Sequence, residues 1–182
     1  MRARGFSLIE LMIAISIFVL LVVLAGPIYG EFVANTNIRN AGESLLNGVR
    51  LAQVQALRYN LPTEFQFNGT GWVVTTDDPE NPGTPLPGSV ETYQITEGAT
   101  QAKITPTPGG ATTVTFGGLG RIEPNADASA SLEILDIILD PAKSNVSGSR
   151  PLRIVVANTN KGVGTKLCDP AVATTEPQGC PP

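Results

Sequence analysis

The sequence predicts an α+β fold in which one long N-terminal helix packs against an antiparallel β-sheet domain. Two observations lead to that fold class. Apolar residues run from Leu11 to Ala25 and then recur at helical spacing to about Tyr59, whereas the remainder holds short β-branched runs separated by glycine and proline. The first half of the helix is apolar enough to lie in a membrane, so we expect only the second half to pack on the domain.

Length and composition limit the classes of protein that fit. The chain has 182 residues, and 12 basic against 16 acidic residues give a net charge of −4. Removing a leader that contains Arg2 and Arg4 would leave 10 basic residues against 16 acidic, or −6, which does not suit a general nucleic-acid surface. The chain contains no histidine, which removes Ser-His-Asp and Cys-His nucleophiles and His-ligated metals. The composition therefore argues against an enzyme, and we expect no catalytic residues, no metal and no cofactor.

The segment RGFSLIELMIAISIFVLLVVLAG, Arg4 to Gly26, has three interpretations: a signal peptide, a plain membrane anchor or an assembly helix. A signal peptide needs a small-residue cleavage site after the apolar stretch, and no clear one follows. A plain anchor fits the length of the helix expected from Phe6 to Tyr29. Neither explains Glu10, because a carboxylate in lipid is costly and is retained for a partner or a task.

The helical pattern continues from Glu31 to about Tyr59 as an amphipathic helix. We expect Gly26-Pro27 to kink or interrupt the helix, because proline removes a backbone hydrogen bond. Leu61-Pro62 should end it, since a residue before proline is pushed out of helical geometry. The charged Arg39, Glu43, Arg50 and Arg58 lie off an apolar stripe made of Ile38, Ala41, Leu45, Val49, Ala52 and Ala56.

After Pro62 the pattern changes to β. Asn68-Gly69-Thr70-Gly71 predicts a hairpin turn, and the proline-rich stretch from Asp77 to Gly88 predicts an exposed loop. The predicted strands are Thr63 to Phe67, Trp72 to Thr75, Glu91 to Thr96, Thr112 to Phe116, Leu132 to Leu139 and Leu152 to Val156.

Two motifs invite a ligand-binding interpretation, and both lack essential parts. Gly117 to Arg121 is glycine-rich like a phosphate loop, but no Lys-Ser/Thr follows and the strand-loop-helix context is missing, so we expect a tight turn. Asp77, Asp78 and Glu80 lack the order of a calcium-binding EF-hand loop, so we expect a solvated acidic loop.

The two cysteines, Cys168 and Cys180, lie near the C-terminus. An even pair beyond a membrane-targeting segment favours a disulfide formed outside the cytoplasm, and two free thiols are the alternative. Positive charge at Arg2 and Arg4 predicts that the leader stays cytoplasmic and the remainder faces the other side of the membrane.

The segment Gly5-Phe6-Ser7-Leu8-Ile9-Glu10, between a basic leader and a long apolar helix, resembles the processing site of type IV pilins and type II secretion pseudopilins. In that family a prepilin peptidase cuts after the glycine and methylates the new N-terminus. The resemblance implies cleavage between Gly5 and Phe6, with Glu10 fifth in the mature chain and paired with the N-terminal amine of a neighbouring subunit. A proline such as Pro27 is common in these proteins where the helix can extend or melt.

The order of later segments is similar to the GspH/FimT class of minor pilins and pseudopilins. These segments are the helix with SLLNGVRLAQVQALRYN, the GTGWVV strand, the TFGGLGRIEP turn and the RIVVANTNKGVGTKLCDP strand pair. The resemblance implies a leader at 1–5, a transmembrane and assembly helix at 6–30, an amphipathic helix at 31–61 and a β-rich domain with a C-terminal disulfide loop at 62–182.

Implied partners are prepilin peptidase, the inner membrane, other minor pilins or pseudopilins and the major subunit. The globular domain would be periplasmic and later lie at a pilus or pseudopilus tip. The cysteine pair looks more like that of pilus minor pilins, which favours a subunit that primes a type IV pilus or sits near its tip. An H-type minor pseudopilin of type II secretion is the alternative within the family, and an anchored module that never polymerises is the alternative outside it.

DNA uptake is a further alternative. Some relatives bind DNA through a C-terminal Gly-Arg-any-Arg pattern, whereas the nearest segment here, Val163 to Cys168, has one lysine and no arginine. Phosphate binding needs several cationic contacts, so Lys161 and Lys166 are weak candidate DNA contacts and we do not expect DNA as a partner.

Overall fold

The computed structural model describes residues 7–81, 83–144, 146–156 and 164–181, leaving out the side chains of Ala25 and Pro27. In this part of the chain one helix, α1 (Leu8–Tyr59), precedes nine strands. The strands are β1 (Thr63–Phe67), β2 (Gly71–Thr76), β3 (Glu91–Gln94), β4 (Ala102–Thr107), β5 (Thr113–Phe116), β6 (Ile122–Glu123), β7 (Ile134–Leu139), β8 (Leu152–Val155) and β9 (Lys166–Cys168).

The strands form two antiparallel sheets that both pack on α1. One sheet has the order β3-β2-β1-β5-β6, and the other has the order β4-β7-β8-β9. The helix contacts β1 and β2 of the first sheet and β7 and β8 of the second, so one apolar core joins the three layers. The predicted α+β fold class is confirmed, and the antiparallel domain proves to be two sheets.

The amphipathic half of α1 packs as the apolar spacing predicts. All six residues of the predicted stripe are 0 or 1% exposed, and Ala34 extends the stripe by one turn. Small alanines alternate with larger side chains along it, which allows the sheets to approach the helix. The helix ends at Tyr59, because Asn60 adopts the left-handed conformation (φ 53°, ψ 38°) that asparagine tolerates at helix C-termini.

All six predicted strands are present, with corrections at their ends. The strand predicted from Glu91 to Thr96 ends at Gln94, since Ile95 turns into the core within a 3-10 turn, Ile95–Glu97. The strand predicted from Leu132 begins at Ile134, although Leu132 is itself buried. The predicted late pair is confirmed, with β8 and β9 antiparallel.

Strand β4 was not predicted, because Pro106 interrupts its sequence. It pairs with β7, and Pro106 lies opposite Leu135. Since β4 is the edge strand of its sheet, a residue without an N–H group can be accommodated there.

Both glycine-containing turns have the predicted form. In the β1–β2 hairpin, Oδ1 of Asn68 accepts hydrogen bonds from the N–H groups of Gly71 at 2.7 Å and Thr70 at 3.1 Å. The Gly117–Arg121 stretch is a tight turn between β5 and β6, closed by the Gly117 N–H donating to Arg121 O at 2.8 Å.

Candidate functional site

The N-terminal half of α1 presents apolar side chains that its own domain does not cover. Large apolar residues from Leu8 to Phe32 are 53 to 79% exposed, whereas the stripe from Ala34 onward is 0 or 1% exposed. Soluble proteins rarely leave so large a contiguous apolar surface open. This half of the helix therefore requires lipid or other helices around it.

The helix is bent between its two halves. Among the described residues no single straight helix has the length and apolar character of a membrane span, but Leu8–Leu24 and Ile28–Tyr59 together have both. They meet at 41°, and the break between them contains Pro27. The backbone remains helical through this point.

The first turn of α1 is capped by Ser7, which is not among the residues predicted above. Its Oγ accepts a hydrogen bond from the Glu10 N–H at 3.3 Å. The sequence signal was present, because Ser followed three residues later by Glu is the pattern of a capping box. The cap fixes the start of the helix, and the exposed Glu10 lies in the first turn, where the helix dipole favours a carboxylate.

Gly5 and Phe6 lie outside the described residues, so cleavage and methylation there remain predictions. Glu10 lies in the first turn of the helix, and its described neighbours along the chain are exposed apolar side chains.

The predicted disulfide is confirmed. Cys168 on β9 bonds to Cys180 across 12 residues, and both cysteines are buried, so the free-thiol alternative is wrong. The bridge ties the C-terminal segment to the edge of the four-stranded sheet.

Only one of the two lysines predicted as weak DNA contacts lies among the described residues. Lys166 is half-buried, and its Nζ donates to the carbonyl of Gly179 within the disulfide loop at 2.9 Å. Its ammonium therefore helps to hold the C-terminal segment. Lys161 lies outside the described residues.

Among the ionisable groups of the domain, Glu64 on β1 has a shifted pKa. Burial raises the pKa of Glu64 on β1, and the negative charges of Asp77 and Asp127 raise it further, against a hydrogen bond from Thr115 that lowers it. Within the described ranges no three His, Cys, Asp or Glu side chains are grouped so as to hold a metal ion.

A long helix with an uncovered apolar half and a two-sheet domain on its other half defines the class of type IV pilin-like subunits. Residues 41–160 match the family model described as type II transport protein GspH, and residues 1–26 match the prokaryotic N-terminal methylation motif. The chain belongs to the GspH family, and it is a minor pilin-like subunit with an N-terminal membrane anchor.

A solved structure is also similar to the chain. It is the crystal structure of the type IV minor pilin FimU of Pseudomonas aeruginosa strain PAO1, with 16% sequence identity and a TM-score of 0.48. The similarity covers 79% of this chain and 94% of the FimU chain. No protein of curated function matches the sequence.

Family membership has general consequences for the chain. Pilins and pseudopilins are structural proteins rather than enzymes, and they associate with other subunits of a pilus or pseudopilus. The N-terminal methylation motif is the substrate feature that prepilin peptidase processes.

Proposed function

We propose that the chain is cut between Gly5 and Phe6 and enters a type IV pilus as a minor subunit that primes assembly or sits near the tip. The main support for the proposal is the abrupt change in side-chain exposure along α1. Apolar side chains are more than half exposed up to Phe32, and the stripe is fully covered from Ala34. Such a helix can move from lipid into a bundle of like helices without exposing its apolar surface to water.

In this proposal Glu10 favours the addition of the subunit to the fibre over its residence in the membrane. A carboxylate that is costly in lipid becomes acceptable once it pairs with the N-terminal amine of an adjacent subunit. A free amine at Phe6 exists only after the leader is removed. Processing and assembly would thus be linked by one ion pair.

The orientation has two supports. Arg2 and Arg4 precede the apolar segment, which favours a cytoplasmic leader. The Cys168–Cys180 bridge fits a domain that folds in an oxidising compartment. We therefore propose that the globular domain is periplasmic before it joins the fibre.

The type II secretion pseudopilus is the second candidate, because the matching family is described as a type II transport protein. The disulfide at the C-terminus, a feature resembling minor pilins of the pilus, is the reason for placing the pilus first. Both candidates use α1 and Glu10 in the same way.

The proposal can be tested with Glu10→Ala in native cells, followed by quantification of the chain in fibres sheared from the surface. We expect the variant to accumulate in the inner membrane and to be lost from the fibres. Glu97→Ala, which removes an exposed carboxylate from the 3-10 turn, is the matched control and should enter normally. Normal entry of Glu10→Ala would contradict the proposed assembly role.

The same assay separates the two machines. In cells without the pilus motor, a pilus subunit should disappear from the sheared fraction, whereas cells without the secretion motor should retain it. The opposite pattern would assign the chain to the secretion pseudopilus.

A further inference from the structure

The end of α1 far from the apolar half carries an exposed apolar surface with a basic rim. We define the distal patch as Val54, Leu57 and Leu119, which are 58, 53 and 78% exposed, together with the exposed arginines Arg50, Arg58 and Arg121. We infer that the distal patch binds an acidic and apolar segment of a different pilin subunit. This inference rests on the proposed function, since it takes the partner to be a fibre component.

The patch is held in place by contacts between the helix and the β5–β6 turn. Nε2 of Gln53 donates to the carbonyl of Gly120 at 2.9 Å. Leu57 packs so closely on Gly120 that a methyl group there would stand 3.3 Å from its side chain. The turn is closed by its own backbone hydrogen bonds, and Gly120 has a positive φ of 70° that favours glycine. Leu119, the preceding residue, is therefore presented from a fixed turn and remains open to solvent.

The side chains of the patch share one side of the helix. Arg50, Val54, Leu57 and Arg58 follow each other at spacings of four, three and one, which places them along one face. The buried stripe lies on the opposite side, toward the sheets. The patch is thus a surface that the domain itself leaves uncovered.

The charge of the rim contrasts with that of the whole protein. Three of the 12 basic residues stand here, although the chain has a net charge of −4. Arg58 lies over the ring of its neighbour Tyr59 at 5.3 Å, which leaves its edge available for a carboxylate. Glu123 is the acidic group beside the turn, where its carboxylate packs against Gly117. A basic rim around apolar side chains is complementary to a segment with carboxylates and an apolar anchor.

Lipid and a two-fold contact with a second copy of this chain do not suit the patch. About 25 residues separate Phe32 from Leu57, which at about 1.5 Å per residue places the patch roughly 37 Å above the apolar half. A two-fold contact between copies would set the three arginines against the same three arginines, and like charges disfavour that contact. A different subunit with an acidic surface has neither difficulty.

The experiment is site-specific photo-crosslinking in native cells, with benzoylphenylalanine at position 119 and, in a separate strain, at position 54. Position 90 is the matched control, because Val90 is also apolar and 46% exposed but precedes β3, at the opposite edge of the sheet from the turn. We expect positions 119 and 54 to crosslink to another subunit, within a peptide that holds Asp or Glu beside an apolar residue. Crosslinking of both positions to a second copy, to lipid or at the level of position 90 would overturn the inference.

Charge reversal tests the basic rim. Arg121→Glu should reduce the crosslink from position 119 by about fivefold, whereas Lys103→Glu on β4 should leave it unchanged. Changing the contacted carboxylate of the partner to Lys should then restore the crosslink to the Arg121→Glu chain. An undiminished crosslink in Arg121→Glu would show that the charges do not recognise the partner.

Fibre entry of the crosslinking strains keeps this inference separate from the proposed function. A chain that enters fibres without crosslinking from the distal patch would retain the function and overturn the patch. A chain that crosslinks to an acidic subunit segment in the membrane but never enters fibres would retain the patch and overturn the fibre role.

Discussion

Gly48 of α1 lies directly against the indole of Trp72 on β2. A methyl group at Gly48 would stand 2.7 Å from Cδ2 of Trp72 and 2.8 Å from Cε2 of Phe65. One turn earlier along the helix, Oγ of Ser44 accepts a hydrogen bond from Nε1 of Trp72 at 3.1 Å. The distance between the helix and the five-stranded sheet is thus set by two features: Gly48 has no side chain, and Ser44 is hydrogen-bonded to Trp72.

Gly48→Ala should destabilise the domain. The added methyl group would displace two rings, which costs about 1–3 kcal/mol, and the gain in helix propensity of about 1 kcal/mol offsets only part of that cost. Thermal unfolding of the full chain in detergent, followed by the fluorescence of Trp72, the only tryptophan, measures the effect. Asn47→Ala, at an exposed position of the same turn, is the control. Equal or higher stability of Gly48→Ala would show that the contact is not tight.

Glu64→Gln should stabilise the domain at neutral pH. The pKa of Glu64 is raised in the folded state by burial and by Asp77 and Asp127, so the folded protein binds a proton there more readily than the unfolded chain does. Stability from this group is therefore fully present below the ordinary glutamate pKa and falls as the pH rises through the folded-state pKa. The melting temperature of Glu64→Gln should exceed that of the wild type at pH 7, and the difference should vanish near pH 4. Glu91→Gln, on exposed β3, should show no such trend.

Reduction of the Cys168–Cys180 bridge should lower the free energy of unfolding by about 3 kcal/mol, because a bridge that closes a loop of this size restricts the unfolded chain. The C-terminal segment should also lose protection from hydrogen exchange, since Lys166 holds Gly179 from the same loop. The measurement is denaturant unfolding with and without reductant. The double variant Cys168→Ala and Cys180→Ala should match the reduced wild type and be insensitive to reductant. Sensitivity of that variant would mean that reductant acts elsewhere.

Arg153→Lys should lower the free energy of unfolding by up to about 1 kcal/mol. The value is modest because the side chains of Arg153 and its partner Asp136 are both about one-third exposed. The arginine on β8 donates from Nε and Nη2 to both carboxylate oxygens of Asp136, its neighbour on β7, at 2.6 and 3.1 Å. This pair also raises the pKa of Arg153. Lysine cannot make the two-pronged contact. Lys143→Ala, which removes a longer ion pair to Asp140 at 3.8 Å, is the control for urea unfolding and should change little.

The periodic parts of the fold could be predicted from sequence because their spacing records which side faces the core. The stripe from Ile38 to Ala56 and the alternation of Thr63 to Phe67 are of this kind. Strand β4 could not be predicted, because a strand that contains Pro106 is tolerated only at the edge of a sheet, and the sequence does not show that β4 lies there. The division into two sheets depends on long-range pairing, which local spacing does not encode.

The candidate site also contains residues that the sequence predicts and residues that it does not. Glu10 is conspicuous in sequence because a charge interrupts an apolar run, and the cysteine pair is conspicuous because it is even and isolated. Ser7 could have been predicted from its spacing to Glu10. The distal patch could not be predicted, because Leu57 and Leu119 are 62 residues apart in sequence and belong to one surface only when the β5–β6 turn packs on the helix, where Leu57 contacts Gly120.

We expect the chain to be a processed fibre subunit, and intact-mass spectrometry of sheared surface fibres tests this expectation. The expected species begins at methylated Phe6 and is lighter by two hydrogens for the Cys168–Cys180 bridge. A species in the fibres that still carries Met1 to Gly5 would contradict it.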